Sequence, residues 1–319
     1  MAGSEKTQDP VKRELGGKYE VTDWDERSRL DAVASSLHTG LTGVAKWLVV
    51  LVALVLFLGQ MGLVLYALAA RPGLGVLTLA SMVPAFVLVG IIWYGDPTMR
   101  EPVWTLSVTF LLAVLFASFA ATANSALQPL VTALPFVGMV GFFFLVVAPV
   151  EETVKWLAIR SYAYNTDDFD AVVDGAVYGA VAGLGFASIE NALYISKVLI
   201  EAGTLQASQP TTAAIGTATQ RAFVGPGHVL YSAIAGYYLG LAKFANDHWG
   251  PIVVKGLLVA AVVHATYNSL TALLPFGAFG GVVSVVAFLG FVLAFDGLVG
   301  YFLYRKISRY RAAYKRVSA

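Results

Sequence analysis

Cysteine is absent from the 319-residue chain, which excludes disulfides, thiolate metal sites and a cysteine nucleophile and leaves the redox compartment unread. Charge is scarce too: Asp, Glu, Lys and Arg make up 13% of the residues, about half the share of an average soluble domain. With 58% hydrophobic residues, that scarcity excludes a disordered chain, a nucleic-acid-binding domain and an ordinary cytosolic enzyme. Nor is there an early apolar run. Residues 1–43 carry 6 Lys/Arg and 8 Asp/Glu, which reads as a retained polar head rather than a signal peptide. Within it, Tyr19 to Leu37 fits either a short amphipathic helix on the membrane surface or a solvated tail. What remains is a multi-pass protein of the cell membrane, with the lipid bilayer as partner and no nucleic acid.

From Val44 onward apolar stretches of about 20 residues recur, the length that spans a roughly 30 Å hydrocarbon layer. They predict an all-α fold of about eight transmembrane helices at 46–70, 74–94, 103–123, 141–163, 171–199, 222–245, 251–274 and 282–304. Residues 124–140, with Pro129 and Pro135, read as an apolar and re-entrant connection. Placing the N-terminus inside puts sixteen Lys/Arg on the cytoplasmic side and three (Arg71, Lys197, Arg221) on the other, so both termini are expected in the cytoplasm. The organisation expected is a cytoplasmic head (1–43), three scaffold spans (44–123), the connection (124–140), a four-span core (141–274), and a last span with a basic tail (275–319).

Ionisable groups inside spans cost at least about 2.5–3.5 kcal/mol each on the insertion scale, so they mark sites. Spans one to three hold almost none. Spans four to seven hold Glu151, Glu152, Lys155, Asp174, Glu190 with Asn191, His228, Lys255, and His264 with Asn268. Glu151 and Lys155 stand i,i+4, which predicts a pair, with Glu152 turned roughly 100° away. His264 and Asn268 share the same spacing. Pro149 removes a backbone donor just before the glutamates and predicts a kink. Gly175, Gly179 and Gly183 form a small-xxx-small run that permits close approach of a neighbouring helix. At a rise of about 1.5 Å per residue, Glu151, Glu190, His228 and His264 fall in one layer in the outer half of the bilayer, with Asp174 roughly 24 Å below Glu190. Asp174 is read as a cap for the start of span five, Asp296 as a structural hydrogen-bond partner, and Arg221 as an anchor for headgroups or a substrate carboxylate.

In order and spacing, Ala148-Pro149-Val150-Glu151-Glu152-Thr153-Val154-Lys155, the span from Asp174-Gly175 to Phe186-Ala187-Ser188-Ile189-Glu190-Asn191, Gly227-His228 and His264-Ala265-Thr266-Tyr267-Asn268 resemble the PrsW family of intramembrane proteases. That family is distantly related to the CAAX-processing membrane proteases. Those relatives carry Arg where this chain has Trp156 and His where it has Glu190, which disfavours prenylated substrates. The resemblance covers about 148–270. It implies hydrolysis of a membrane-anchored protein, with anti-sigma-factor-like regulators as the substrate class, and the depth of the polar layer puts the expected cut near the extracytoplasmic side.

Peptide hydrolysis needs an activated water and a group that polarises the carbonyl. No serine stands in a convincing nucleophile arrangement; Ser188 and Ser232 are the alternatives of note. Glu151 and Glu152 are carried over together as catalytic, Glu152 being the simpler base because Lys155 compensates Glu151. His264 and Asn268 are placed to stabilise an oxyanion. Glu190, His228 and His264 supply the two-His, one-carboxylate set of hydrolytic zinc sites, while a metal-free glutamate mechanism stays open. Lys155, Asn191 and Asp174 are expected to orient or hold structure. Two other readings share the buried charges: a proton- or cation-coupled transporter, and a silent scaffold that binds a partner helix.

Overall fold

The computed structural model describes residues 28–96, 98, 100–134, 138–201, 212–245, 249–274, 276 and 280–317. Residues 1–27 of the head, Pro135 of the connection, and the Tyr19–Arg27 part of the amphipathic reading lie outside them. Among the described residues the chain is helical, with no strand. The helices are α1 (Arg29–Ala70), α2 (Gly73–Tyr94), α3 (Val103–Thr132), α4 (Gly138–Phe142), α5 (Ala148–Ser161), α6 (Asp174–Glu201), α7 (Thr212–Lys243), α8 (Trp249–Leu273) and α9 (Gly281–Val317). A π-helical turn, Phe143–Val147, joins α4 to α5. The described residues up to Val52 belong to one compact unit and those from Ala53 onward to the other, and the whole site lies in the second.

Among the described residues six helices are long and apolar enough to cross a membrane: the 50–70 part of α1, then α2, α3, the 174–198 part of α6, α8, and α9 to residue 316. The spans expected at 141–163 and 222–245 fall on the run 138–161 and on α7, which are helical but less apolar. Their polar residues face protein: Glu151, Glu152, Lys155, Arg221, His228 and Ser232 are all buried. Lipid contact therefore does not dictate their composition. By contrast α1, α2 and α9 expose Leu51, Leu54, Val76, Leu79, Val282 and Leu298. The expected start of the 124–140 connection is helical, because α3 continues unbroken through Pro129 to Thr132.

The kink expected at Pro149 takes the form of the π-helical turn. Pro149 has no N–H for the Leu145 carbonyl, and the Ala148 N–H bonds to Phe143 O, an i→i+5 closure that widens the helix just before the glutamates.

α6 is the central helix: 89% of its most apolar window is buried, against 17% in α2. Its closest partner is α7, and the glycine run is the reason. A Cβ at Gly179 would collide with the Ser232 carbonyl, and one at Gly183 with the His228 carbonyl. Only glycine lets the two backbones meet there. The same contact fixes the height and rotation of His228 relative to Glu190.

Candidate active site

Glu152 projects from α5 into the interior and is 1% exposed. Its Oε1 accepts from Lys155 Nζ at 2.7 Å and lies 2.9 Å from His264 Nδ1, while Oε2 accepts from Ser232 Oγ at 3.2 Å. The cation expected to face Glu151 across one turn thus belongs to Glu152. Positions i+3 and i+4 are both neighbours on a helix, and the interior lies on the Glu152 side. Lys155 Nζ also donates to His228 Nδ1 at 3.0 Å and sits 4.4 Å from the Phe186 ring centre.

An ammonium can only donate, so His228 Nδ1 is an acceptor, and the proton on Nε2 is donated to Glu190 Oε2 at 2.9 Å. A carboxylate can only accept, so His264 donates from Nδ1 to Glu152 and keeps the lone pair on Nε2. That lone pair is 3.7 Å from Glu151 Oε2. Glu151 Oε1 accepts from Asn124 Nδ2 at 3.0 Å, whereas Oε2 is buried with no hydrogen-bond partner among the described residues. Glu151, His228 and His264 each offer one ligand atom, all within 4.8 Å of one another.

The ligand set expected from sequence had Glu190 in place of Glu151, on the ground that no cation faced Glu190. That ground does not hold, because Arg221 Nη2 donates to Glu190 Oε2 at 2.5 Å. Arg221 is buried rather than a headgroup anchor; its Nε donates to Asn191 Oδ1 at 2.8 Å, and Asn191 donates in turn to Ser81 Oγ at 3.0 Å. Asn191 thus holds α6 to both α2 and α7. The layer expected at one depth is real in space, with the two imidazole centroids 5.1 Å apart at 85°.

Around the cluster lies a cavity of about 580 Å³ lined by Glu151, Glu190, Arg221, His228, His264 and Asn268. Tyr231 stacks on His264 at 5.3 Å, and its hydroxyl donates to Asp296 Oδ1 at 3.4 Å, the structural partnership expected of Asp296. Neither serine weighed as a nucleophile is free: Ser188 Oγ donates to Leu184 O at 2.8 Å, and Ser232 is bound to Glu152. Asp174 does not cap its own first turn. Its Oδ2 accepts from the N–H groups of Asp170 and Ala171, tying down the preceding loop.

Sequence reasoning missed Asn124 and the Arg221–Glu190 pair. Asn124 is an amide one position past the expected end of span three, and the unbroken apolar pattern to Thr132 was the signal for a longer helix.

A family model described as the PrsW family intramembrane metalloprotease matches residues 101–295. The chain belongs to the PrsW family. It is 27% identical over 199 residues to Protease PrsW of Shouchella clausii, covering 60% of this chain and 81% of the relative. To Protease PrsW of Bacillus subtilis it is 30% identical over 201 residues, 61% of this chain and 82% of the relative. To that of Clostridioides difficile it is 28% identical over 174 residues, 54% and 68% respectively. No solved structure matches the chain. The PrsW match contains every motif residue named above, and it identifies the chain as a multi-pass membrane peptidase rather than a transporter or a silent scaffold.

Proposed function

We propose that Glu151, His228 and His264 hold a zinc ion, and that the peptide bond of a membrane-anchored substrate is hydrolysed beside it. The observation that carries this is the unpartnered Glu151 Oε2 facing the His264 Nε2 lone pair inside a buried cavity. A buried carboxylate oxygen without a donor is costly, and two imidazoles with one carboxylate are a donor set suited to zinc. The support behind the ligands also fits. Glu152 holds the Nδ1–H of His264, and Asn124 holds the second oxygen of Glu151, the outer partners that fix ligand orientation. When bound, zinc would acidify a water and polarise the scissile carbonyl.

The chain's own groups supply the rest. Glu190 lines the cavity, and its oxygen not held by Arg221 takes the proton of the attacking water and returns it to the leaving amine. Asn268, one turn beyond His264 on the cavity wall, donates to the oxyanion. Glu152, saturated by three donors, is a positioning residue rather than the base. Lys155 joins Glu152 to His228, and would move off His228 Nδ1 when the lone pair there turns to zinc, the Nε2–H staying on Glu190. With both termini in the cytoplasm the site opens towards the extracytoplasmic side. The substrate class is membrane-anchored regulators of the anti-sigma-factor type, as the family resemblance implies.

Purified enzyme with a single-span model substrate tests the reading. Stoichiometric zinc, lost together with cleavage in Glu151→Gln and His264→Ala, is the expected result. Full activity in a strong chelator with no bound metal would overturn it, and a cut mapped to the cytoplasmic side would overturn the orientation.

A further inference from the structure

A second group of carboxylates sits at the other end of α6. Asp96 follows α2, Glu101 precedes α3, and Asp174 begins α6; their ligand oxygens lie within 4.8 Å of one another. The donors around them are distributed unevenly. Asp96 Oδ1 accepts from the Thr98 N–H at 2.7 Å and from its hydroxyl at 2.6 Å, and Asp174 Oδ2 accepts the two loop N–H groups. Asp174 Oδ1 is left with a 3.3 Å contact to that same Thr98 hydroxyl, whose one proton already serves Asp96. Asp96 Oδ2 and both oxygens of Glu101 are buried without a hydrogen-bond partner among the described residues.

Glu101 is the telling member. Its side chain is 2% exposed and points at the other two carboxylates, with neither oxygen in a hydrogen bond among the described residues. The hydroxyl of Tyr178, fully buried one turn along α6 from Asp174, is likewise without a partner. Neighbouring cations are engaged elsewhere. Lys243 donates to the Tyr164 carbonyl at 2.8 Å, Arg311 donates to the Gly95 carbonyl, and Arg100 lies 4.6 Å from the Tyr94 ring centre. Burial first, and then the neighbouring charges of Asp96 and Asp174, push the Glu101 carboxyl up to about 9, a measure of how little compensates the cluster.

A single shared proton would satisfy one pair of these oxygens and leave the rest. A hard divalent cation would satisfy all of them. Calcium holds oxygens at about 2.3–2.6 Å, so oxygens of one shell lie at most about 5 Å apart, the spread seen here. We propose that Asp96, Glu101 and Asp174 form a binding site for a hard divalent cation of the calcium or magnesium class, which clamps the α2–α3 connection to the start of α6. The site contains no nitrogen ligand, and lies roughly 24 Å along α6 from Glu190 by helix rise, so its occupancy is separate from that of the Glu/His centre.

The test is thermal unfolding of the full chain in detergent, with calcium or magnesium chloride added against an equal ionic strength of sodium chloride. The expected result is a rise of a few degrees in the wild type with either ion, lost in both Glu101→Gln and Asp96→Asn. Sensitised terbium luminescence, displaced by calcium in the wild type and absent from either variant, reads the same site directly. No rise in the wild type, or an undiminished rise in either variant that folds, would overturn the proposal. Zinc content and cleavage are not the readout, so failure here is distinguishable from failure of the zinc reading.

Discussion

The two ends of α6 carry carboxylates in opposite conditions. At the Glu190 end almost every charge is matched: Glu190 by Arg221 and His228, Glu152 by Lys155, His264 and Ser232. Among the described residues one buried carboxylate oxygen there, Glu151 Oε2, is left over. At the Asp174 end the carboxylates face one another, and three oxygens are left over. The difference teaches that buried negative charge is not by itself a catalytic signature. What marks the first end is a free carboxylate oxygen facing an imidazole lone pair inside a neutralised frame that opens on a cavity. What marks the second is an excess of carboxylate acceptors facing one another with no cation among them, which fits a structural arrangement.

The comparison breaks most sharply at the single free oxygen. Glu151→Gln or His264→Ala should lower cleavage by about 10³-fold or more, since metal-centred stabilisation is worth several kcal/mol; rates on a fluorogenic single-span peptide measure it. Next is the contact that sets the frame. Gly183→Ala forces a methyl group onto the His228 carbonyl and should destabilise the bundle by about 1–3 kcal/mol, whereas Gly216→Ala, with open space around it, should leave the unfolding midpoint nearly unchanged. Asn124→Ala removes the donor to Glu151 Oε1 and should weaken zinc binding by about 10- to 100-fold, read by chelator competition, with the fold intact. The smallest effect is at the far end: Glu101→Gln should keep cleavage within about twofold while abolishing the response of stability to calcium. Loss of cleavage in that variant would show that the two ends are not separate.

Much of this was legible in the sequence because the bilayer imposes length and composition. The apolar runs located the helices, the glycine spacing located the α6–α7 contact, and the order of Glu151, Glu190, His228 and His264 located the layer. Pairings were less legible. Lys155 has Glu151 at one helical neighbour position and Glu152 at another, and only the direction of the interior chooses between them. Arg221 lies 31 residues from Glu190, and nothing local announces that they meet. Asn124 was hidden by an assumed helix end, and nothing in the sequence around Glu101 announces its burial. Spacing along one helix can be read from a sequence, but partnership between helices needs the packing.

The π-helical turn has a consequence for how such a site can diversify. Met139, Phe142 and Phe143 before or within the turn line the cavity wall, and Glu151 and Glu152 follow it on the same helical run. One residue more or fewer in the turn changes the phase between wall and charges by roughly 100°. The downstream segment is pinned by Lys155, His228 and His264, so the upstream wall is the part that rotates. Insertions or deletions in five residues could thus reshape what the cavity admits while the charged motif keeps its place, making selectivity and chemistry separately adjustable within one helix.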